Sequence, residues 1–252
     1  MVPEFRTGPR GVAGVGAFFI SNGAVFAALL PWYPLVMGRL GLKAWEFGLV
    51  GASFAVGAIV SSVLPSRLIA RFYAVPVAVV GTVVLAAAVA LAGWSGCGFA
   101  LAACIFFAGF FDAFVDVAQN VVGVAVQDNS GRSILSSMHA LWSLGGVISG
   151  AASTAAATAG TDMRLYLAVV GFVCIILVGI GGLLVGNAPV MPKSNDELSA
   201  SSGKGRLQWW FVLRAALPLA VIATCGTTIE DVANNWSAIA AVQIGNVPAA
   251  SA

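Results

Sequence analysis

Charge is the scarcest property of this sequence. Of its 252 residues only 9% are Asp, Glu, Lys or Arg, and the formal net charge is +2. Soluble domains carry about 25% charged residues, so a water-soluble globule is excluded. So small a positive balance also gives no case for nucleic acid. Histidine is nearly absent: His139 stands alone, with no Cys/His cluster, so the sequence offers no metal-ligand set and no cofactor motif. The four cysteines, Cys97, Cys104, Cys174 and Cys225, have no paired short spacing and lie in or beside apolar runs, as buried small hydrophobes do. No strand precedes Gly145-Gly146, so that pair is a packing feature rather than a phosphate cradle.

What the chain has instead is hydrophobic length. Sixty per cent of it is hydrophobic and its mean hydropathy is +0.97. The first apolar run follows Arg6 and Arg10 and continues to about Met37, too long for a cleaved signal's core, so it reads as a retained span. Asn22 lies near its middle, and Pro31-Trp32-Tyr33-Pro34 reads as its outer end, with interfacial aromatics and a helix breaker. Further spans are expected over about 47–64, 74–94, 98–126, 136–159 and from Arg164 to about Gly186. Between the second and third, 65–72 reads as a compact basic turn. Residues 187–208, with Pro189, Pro192 and a Ser/Gly/Lys stretch, have linker composition. A seventh span begins at Trp209-Trp210 and is expected to end near Val232, followed by a tail too short to cross again.

The architecture implied is an all-α integral membrane protein. It divides into a six-span bundle (1–186), a cytoplasmic linker (187–208), and a seventh span with its tail (209–252). Placing the N-terminus in the cytoplasm puts nine of the twelve basic residues inside, leaving only Arg39, Lys43 and Arg164 outside.

One stretch stands out chemically. The fourth span carries no charge over 95–110, then places Asp112, Asp116 and Asn120 at intervals of four. On a helix such residues share one face, drifting only about 40° per step. A charge at membrane depth costs roughly 2.5 kcal/mol or more and normally faces a bundle interior or a water-filled cavity. A buried carboxylate there can load a proton from one side and release it to the other, and Asp112 lies nearer mid-span. The bland alternative is a pair of acids that only hold helices together. His139, near the cytoplasmic start of span five, is a candidate relay. Asn22 is a candidate cavity amide, because a mid-span amide wants a partner. Trp32 reads as interfacial belt. Glu230 reads as an outer-end charge of span seven, with Asp231 beside it.

Several segments resemble the major facilitator superfamily, in particular its bacterial fucose-permease-like branch. Leu40-Gly41-Leu42 with Glu46-Phe47-Gly48 is similar to the loop between spans one and two. Asp112-Ala113 with Asp116-Val117-Ala118-Gln119-Asn120 is similar to the span-four motif, and Ser137 to Gly146 to the start of span five. Glu230 with Asn235-Trp236-Ser237 looks like a degraded segment closing span seven. The loop after span two keeps only Ser66, Ala70-Arg71 and Tyr73 of the superfamily's Gly-x-x-x-Asp-Arg-x-Gly pattern, and Asp231 and Asn235 stand where Gly and Asp are expected.

The resemblance implies an N-terminal half-bundle plus the start of a second half, in a bacterial inner membrane. It also implies secondary active transport of a small polar or drug-like solute driven by protons, without cofactor or metal. Asp112, Asp116, Asn120, His139, Asn22 and Glu230 are then the candidate proton and substrate residues. About five more spans are expected beyond such a chain, so it reads as an incomplete transporter. A half-transporter that self-associates, or a scaffold needing a partner chain, is the alternative. An intramembrane aspartyl enzyme fits poorly, since both acids lie on one helix and no nucleophile-base set accompanies them.

Overall fold

The computed structural model describes residues 5–186 and 205–251. The first four residues and most of the expected linker, 187–204, lie outside the described residues. In chain order the helices are α1 (Pro9–Ala28), a short 3-10 turn (Leu30–Trp32), α2 (Tyr33–Leu40), α3 (Ala44–Ser61) and α4 (Leu64–Phe72). They continue with α5 (Ala74–Ala92), α6 (Gly98–Ser130), α7 (Leu135–Thr158), α8 (Met163–Val185) and α9 (Gly205–Gln243). Among the described residues, seven segments are long and apolar enough to cross a membrane, the first running from Pro9 through the 3-10 turn to Leu40.

Three boundaries differ from those expected. Pro31-Trp32-Tyr33-Pro34 does not end the first span. Proline is compatible with the first turn of a helix, so the chain tightens into 3-10 geometry and resumes as α2. Trp32 is accordingly no belt residue; it is 3% exposed, with its ring 5.8 Å from that of Tyr166 inside the bundle. The supposed basic turn at 65–72 is the amphipathic helix α4, which opens on Pro65, buries Ile69 and exposes Arg67 and Arg71. Finally, α9 continues to Gln243, thirteen residues past Glu230, so Glu230 is not at the helix end.

The packing follows a three-plus-three plan. The principal contacts are α1 with α7, α3 with α6, α1 with α8, α5 with α6, and α5 with α8. Exchanging spans one, two and three for four, five and six maps this set onto itself, as expected for the internal repeats of transporter halves. The polar mid-span residues obey the same exchange. Asn22 lies thirteen residues after the start of α1, and Asp112 fourteen after the start of α6.

Glycines let the two paired spans approach to backbone contact. A Cβ at Gly23 would collide with the Trp142 carbonyl, and one at Gly145 with the Ile20 carbonyl. In the symmetry-related pair, a Cβ at Gly57 would meet the Phe106 carbonyl and one at Gly109 the Phe54 carbonyl. Small residues matter here because hydrocarbon is as apolar as leucine, so close packing and interhelical hydrogen bonds drive association. Ser149 Oγ and Ser153 Oγ on α7 donate to the Ala24 and Ala28 carbonyls of α1, each at 2.7 Å. Residues 142, 145, 149 and 153 therefore form one stripe of α7 that reads α1 along its length.

Connections between spans are secured locally. Arg39 donates to the Gly93 and Ser95 carbonyls, both at 3.2 Å, tying the end of α2 to the α5–α6 turn. Asp162 caps α8, its Oδ1 accepting from the backbone N–H of Arg164 at 2.7 Å and of Leu165 at 3.3 Å. Replacing Asp162 with Ala is expected to lower stability by about 1 kcal/mol, seen as a small fall in the thermal unfolding midpoint with unchanged helical content. No fall would mean water replaces the cap.

The seventh span leans on this bundle. Trp236 sets its ring edge-to-face on Phe47 at 6.1 Å, and Ile239 is buried in the same apolar cluster as Val36. The polar residues of α9, from Thr228 to Ser237, thereby face the bundle's open side.

Candidate functional site

Asp112 sits on α6 because the helix continues unbroken from Gly98, and its glycine at position 109 draws α3 close one turn earlier. Facing it is Asn22 of α1, only 3% exposed. The Asn22 Nδ2 donates to Asp112 Oδ1 at 2.8 Å, and the Trp142 indole Nε1 of α7 donates to Asn22 Oδ1 at 2.6 Å. Three helices thus meet in one chain of hydrogen bonds. The direction of that chain is fixed by chemistry: an indole N–H only donates, so Asn22 must turn its oxygen to Trp142 and its NH2 to Asp112. Asp112 Oδ1 is an acceptor whichever way the carboxyl is charged, and a proton on Asp112 resides on Oδ2.

Asp112 also borders a small cavity of about 60 Å³, shared with Tyr33, Phe54, Asp231 and Asn235. A larger cavity of about 340 Å³ lies on the other side of Phe26, between α1, α7 and α9, and includes Trp142, Glu230, Asn234 and Ser237. Phe26 and Leu30 border both spaces. Gly51 lines the small cavity, and a Cβ there would meet nothing within 4 Å, so this glycine serves as open wall rather than as a helix contact.

The remaining sequence candidates separate. Asp116 is exposed and turns to its own helix: Asn120 Nδ2 donates to its Oδ1 at 3.1 Å and to its carbonyl at 2.8 Å. Asp116 and Asn120 therefore form a local pair one turn beyond the Asn22–Asp112 contact. Gln119, 1% exposed, points into the bundle and reaches Asp116 Oδ1 only at 3.4 Å. His139 is exposed and stacks edge-on against Phe19 at 5.2 Å, one turn before Trp142 on α7. It has no hydrogen bond to the Asp112 chain. Glu230 is brought to the larger cavity, away from Asp112, whereas its neighbour Asp231 shares Asp112's cavity.

Trp142, Asp231 and Asn235 are the residues sequence reasoning underrated. Trp142 was readable in principle, because it heads the stripe of residues spaced 3 and 4 apart on α7. Among the described residues no group of three His, Cys, Asp or Glu gathers to hold a metal ion, and all four cysteines are free.

No family model matches the sequence. Over 171 residues it is 30% identical to an uncharacterized transporter of Sinorhizobium fredii, covering 68% of this chain and 44% of that protein. Over 132 residues it is 30% identical to an uncharacterized MFS-type transporter of Yersinia pestis, covering 52% of this chain and 34% of the relative. The fold superposes on a crystal structure of a variant of the nucleoside transporter NupG with a TM-score of 0.68 at 13% identity, over 95% of this chain and 60% of that one. The fold is that of the major facilitator superfamily. A second NupG structure gives a TM-score of 0.64 at 14% identity, over 92% of this chain and 57% of the other. The chain spans less than half the length of the curated relatives it matches. It contributes a six-span bundle and a seventh helix, α9, laid against that bundle's open face.

Proposed function

We propose that the chain forms the proton-binding half of a secondary transporter for a small polar solute, with Asp112 as the proton carrier. The observation that carries this is a mid-span carboxylate held by one oxygen through Asn22, with the carboxyl bordering a cavity that α9 closes. Membrane-buried acids are costly and face functional space, and substrate sites of such bundles lie near the midplane between repeats. Glu230, Asn234 and Ser237 of α9 supply polar groups to the larger cavity, where a solute is placed against Phe26 and Trp142. Asp116 and Asn120, paired with each other on α6, and His139, packed on Phe19, stand outside the Asp112 hydrogen-bond chain. The basic residues support an N-terminus in the cytoplasm, and the bacterial relatives support an inner-membrane location.

The test is uptake into proteoliposomes by the transport-competent protein. Uridine serves as first probe, since nucleosides are the solutes of the structural neighbour. Uptake is expected to follow an imposed pH gradient and to fall to the level of passive exchange when a protonophore collapses it. Uptake indifferent to the protonophore would exclude proton coupling.

A further inference from the structure

Trp142 links the larger cavity to the Asn22 amide. Its ring borders that cavity, with its centroid 5.8 Å from that of Phe26. Its N–H points the other way, to Asn22. The amide of asparagine has two ends of nearly equal shape and opposite polarity. Held by the indole, the NH2 end faces Asp112. Released, the amide is free to turn by half a rotation and present Oδ1 instead. An oxygen facing a carboxyl oxygen is tolerated only where one of them carries a proton. The orientation of a single buried amide therefore selects which form of Asp112 is accommodated.

We propose that Trp142 is a positioning residue whose indole N–H locks the Asn22 amide, keeping Asp112 Oδ1 an acceptor and confining proton exchange to Oδ2. This rests on Asp112 being the proton carrier. Gly23 and Gly145 make the arrangement attainable, because only backbone contact between α1 and α7 brings the indole within reach of Asn22. The other ionisable groups near Asp112 are Asp116 on its own helix, Tyr33 of α2 and Asp231 of α9. The walls from α3 and α5 are Gly51, Phe54, Ala55, Leu85 and Val89, which carry no charge. None of these groups bonds to Trp142, so an indole substitution isolates the amide's contribution.

The experiment is infrared difference spectroscopy of the full chain in liposomes, titrated over pH. The carbonyl band of protonated Asp112 is assigned by its loss in D112N. Trp142→Phe keeps a ring but removes the donor, and is expected to strengthen the band at fixed pH, moving its midpoint upward by about half a unit or more. Asn22→Leu should move it the same way, and the double variant no further than N22L alone, since both act through one amide. Trp142→His, which restores a ring N–H, should return the midpoint toward that of the parent. If the phenyl ring fails to hold α7, comparison of W142H with N22L decides the matter: W142H should resemble the parent, and a shift equal to that of N22L overturns the proposal. Equal shifts in W142F and W142H, or no shift in W142F beside a clear one in N22L, also overturn it. Absence of any titrating Asp112 band removes the proton-carrier role itself, and the positioning role with it.

Discussion

Replacing Asp112 with Asn should abolish proton-driven net uptake while leaving solute exchange intact. The substitution is nearly isosteric, and the new amide oxygen can still accept from Asn22 Nδ2, so the 2.8 Å contact and the indole beyond it are retained. What is lost is the site that gains and releases a proton. Groups that transfer protons typically contribute on the order of 100-fold or more to a rate, and net uptake under a pH gradient should fall by at least that factor. Exchange of labelled for unlabelled solute across the membrane needs no proton cycle and should stay within a few-fold of the parent. Asp116→Asn is the matched comparison. That side chain is exposed and paired with Asn120 on its own helix, so uptake should change by less than about threefold, as for a surface polar group. Normal gradient-driven uptake by D112N, or equal losses in the two variants, would take Asp112 out of the coupling step. Asp112→Leu is expected to be worse folded than D112N, because it leaves the buried Asn22 NH2 unpartnered at a cost of about 1–3 kcal/mol.

The second large effect is steric. Gly23→Ala and Gly145→Ala each drive a methyl group into a backbone carbonyl of the facing helix, Trp142 in one case and Ile20 in the other. A backbone atom cannot rotate aside as a side chain can, so the cost lies at the upper end of overpacking, about 3 kcal/mol or more. Gly57→Ala and Gly109→Ala should behave alike, because the α3–α6 contact repeats the α1–α7 contact. Gly179→Ala is the control on α8, where a Cβ meets nothing within 4 Å. There the gain in helix propensity should leave stability equal or raise it by up to about 1 kcal/mol. Thermal unfolding in mild detergent reads all five. An unfolding midpoint for G23A or G145A matching that of G179A would mean that the helices separate at little cost, and that the close approach is not what holds them.

These expectations also show what the sequence could and could not disclose. The spans were legible because apolar length is a local property, and Asp112 because an acid inside an uncharged run is conspicuous without any partner. The seventh span is legible but its end is not, since Glu230 and Asp231 resemble a boundary when nothing marks the thirteen helical residues beyond Glu230. Helix α4 reads locally as a turn because Pro65 and two arginines in nine residues suggest one, although proline at a helix start is well tolerated. Trp32 illustrates a different limit. An aromatic beside prolines has the same local sequence whether it faces lipid headgroups or packs on Tyr166, and only the α8 contact distinguishes the two. The pairing of Asn22 with Asp112 and Trp142 was illegible for the same reason, its partners lying 90 and 120 residues downstream.

That separation has a consequence for how the protein is made. Ribosomes add about 5–20 residues per second, so Trp142 is polymerised roughly 6–24 s after Asn22. Until Asp112 is made, about 4.5–18 s after Asn22, the first span carries a polar amide with no native partner, and until Trp142 follows, Gly23 presents a notch with no neighbour to fill it. Lateral release of the nascent first helix into lipid would expose both. The order of synthesis therefore favours retention of this helix beside the insertion machinery, or shelter by a membrane chaperone, until the fifth span emerges to claim it.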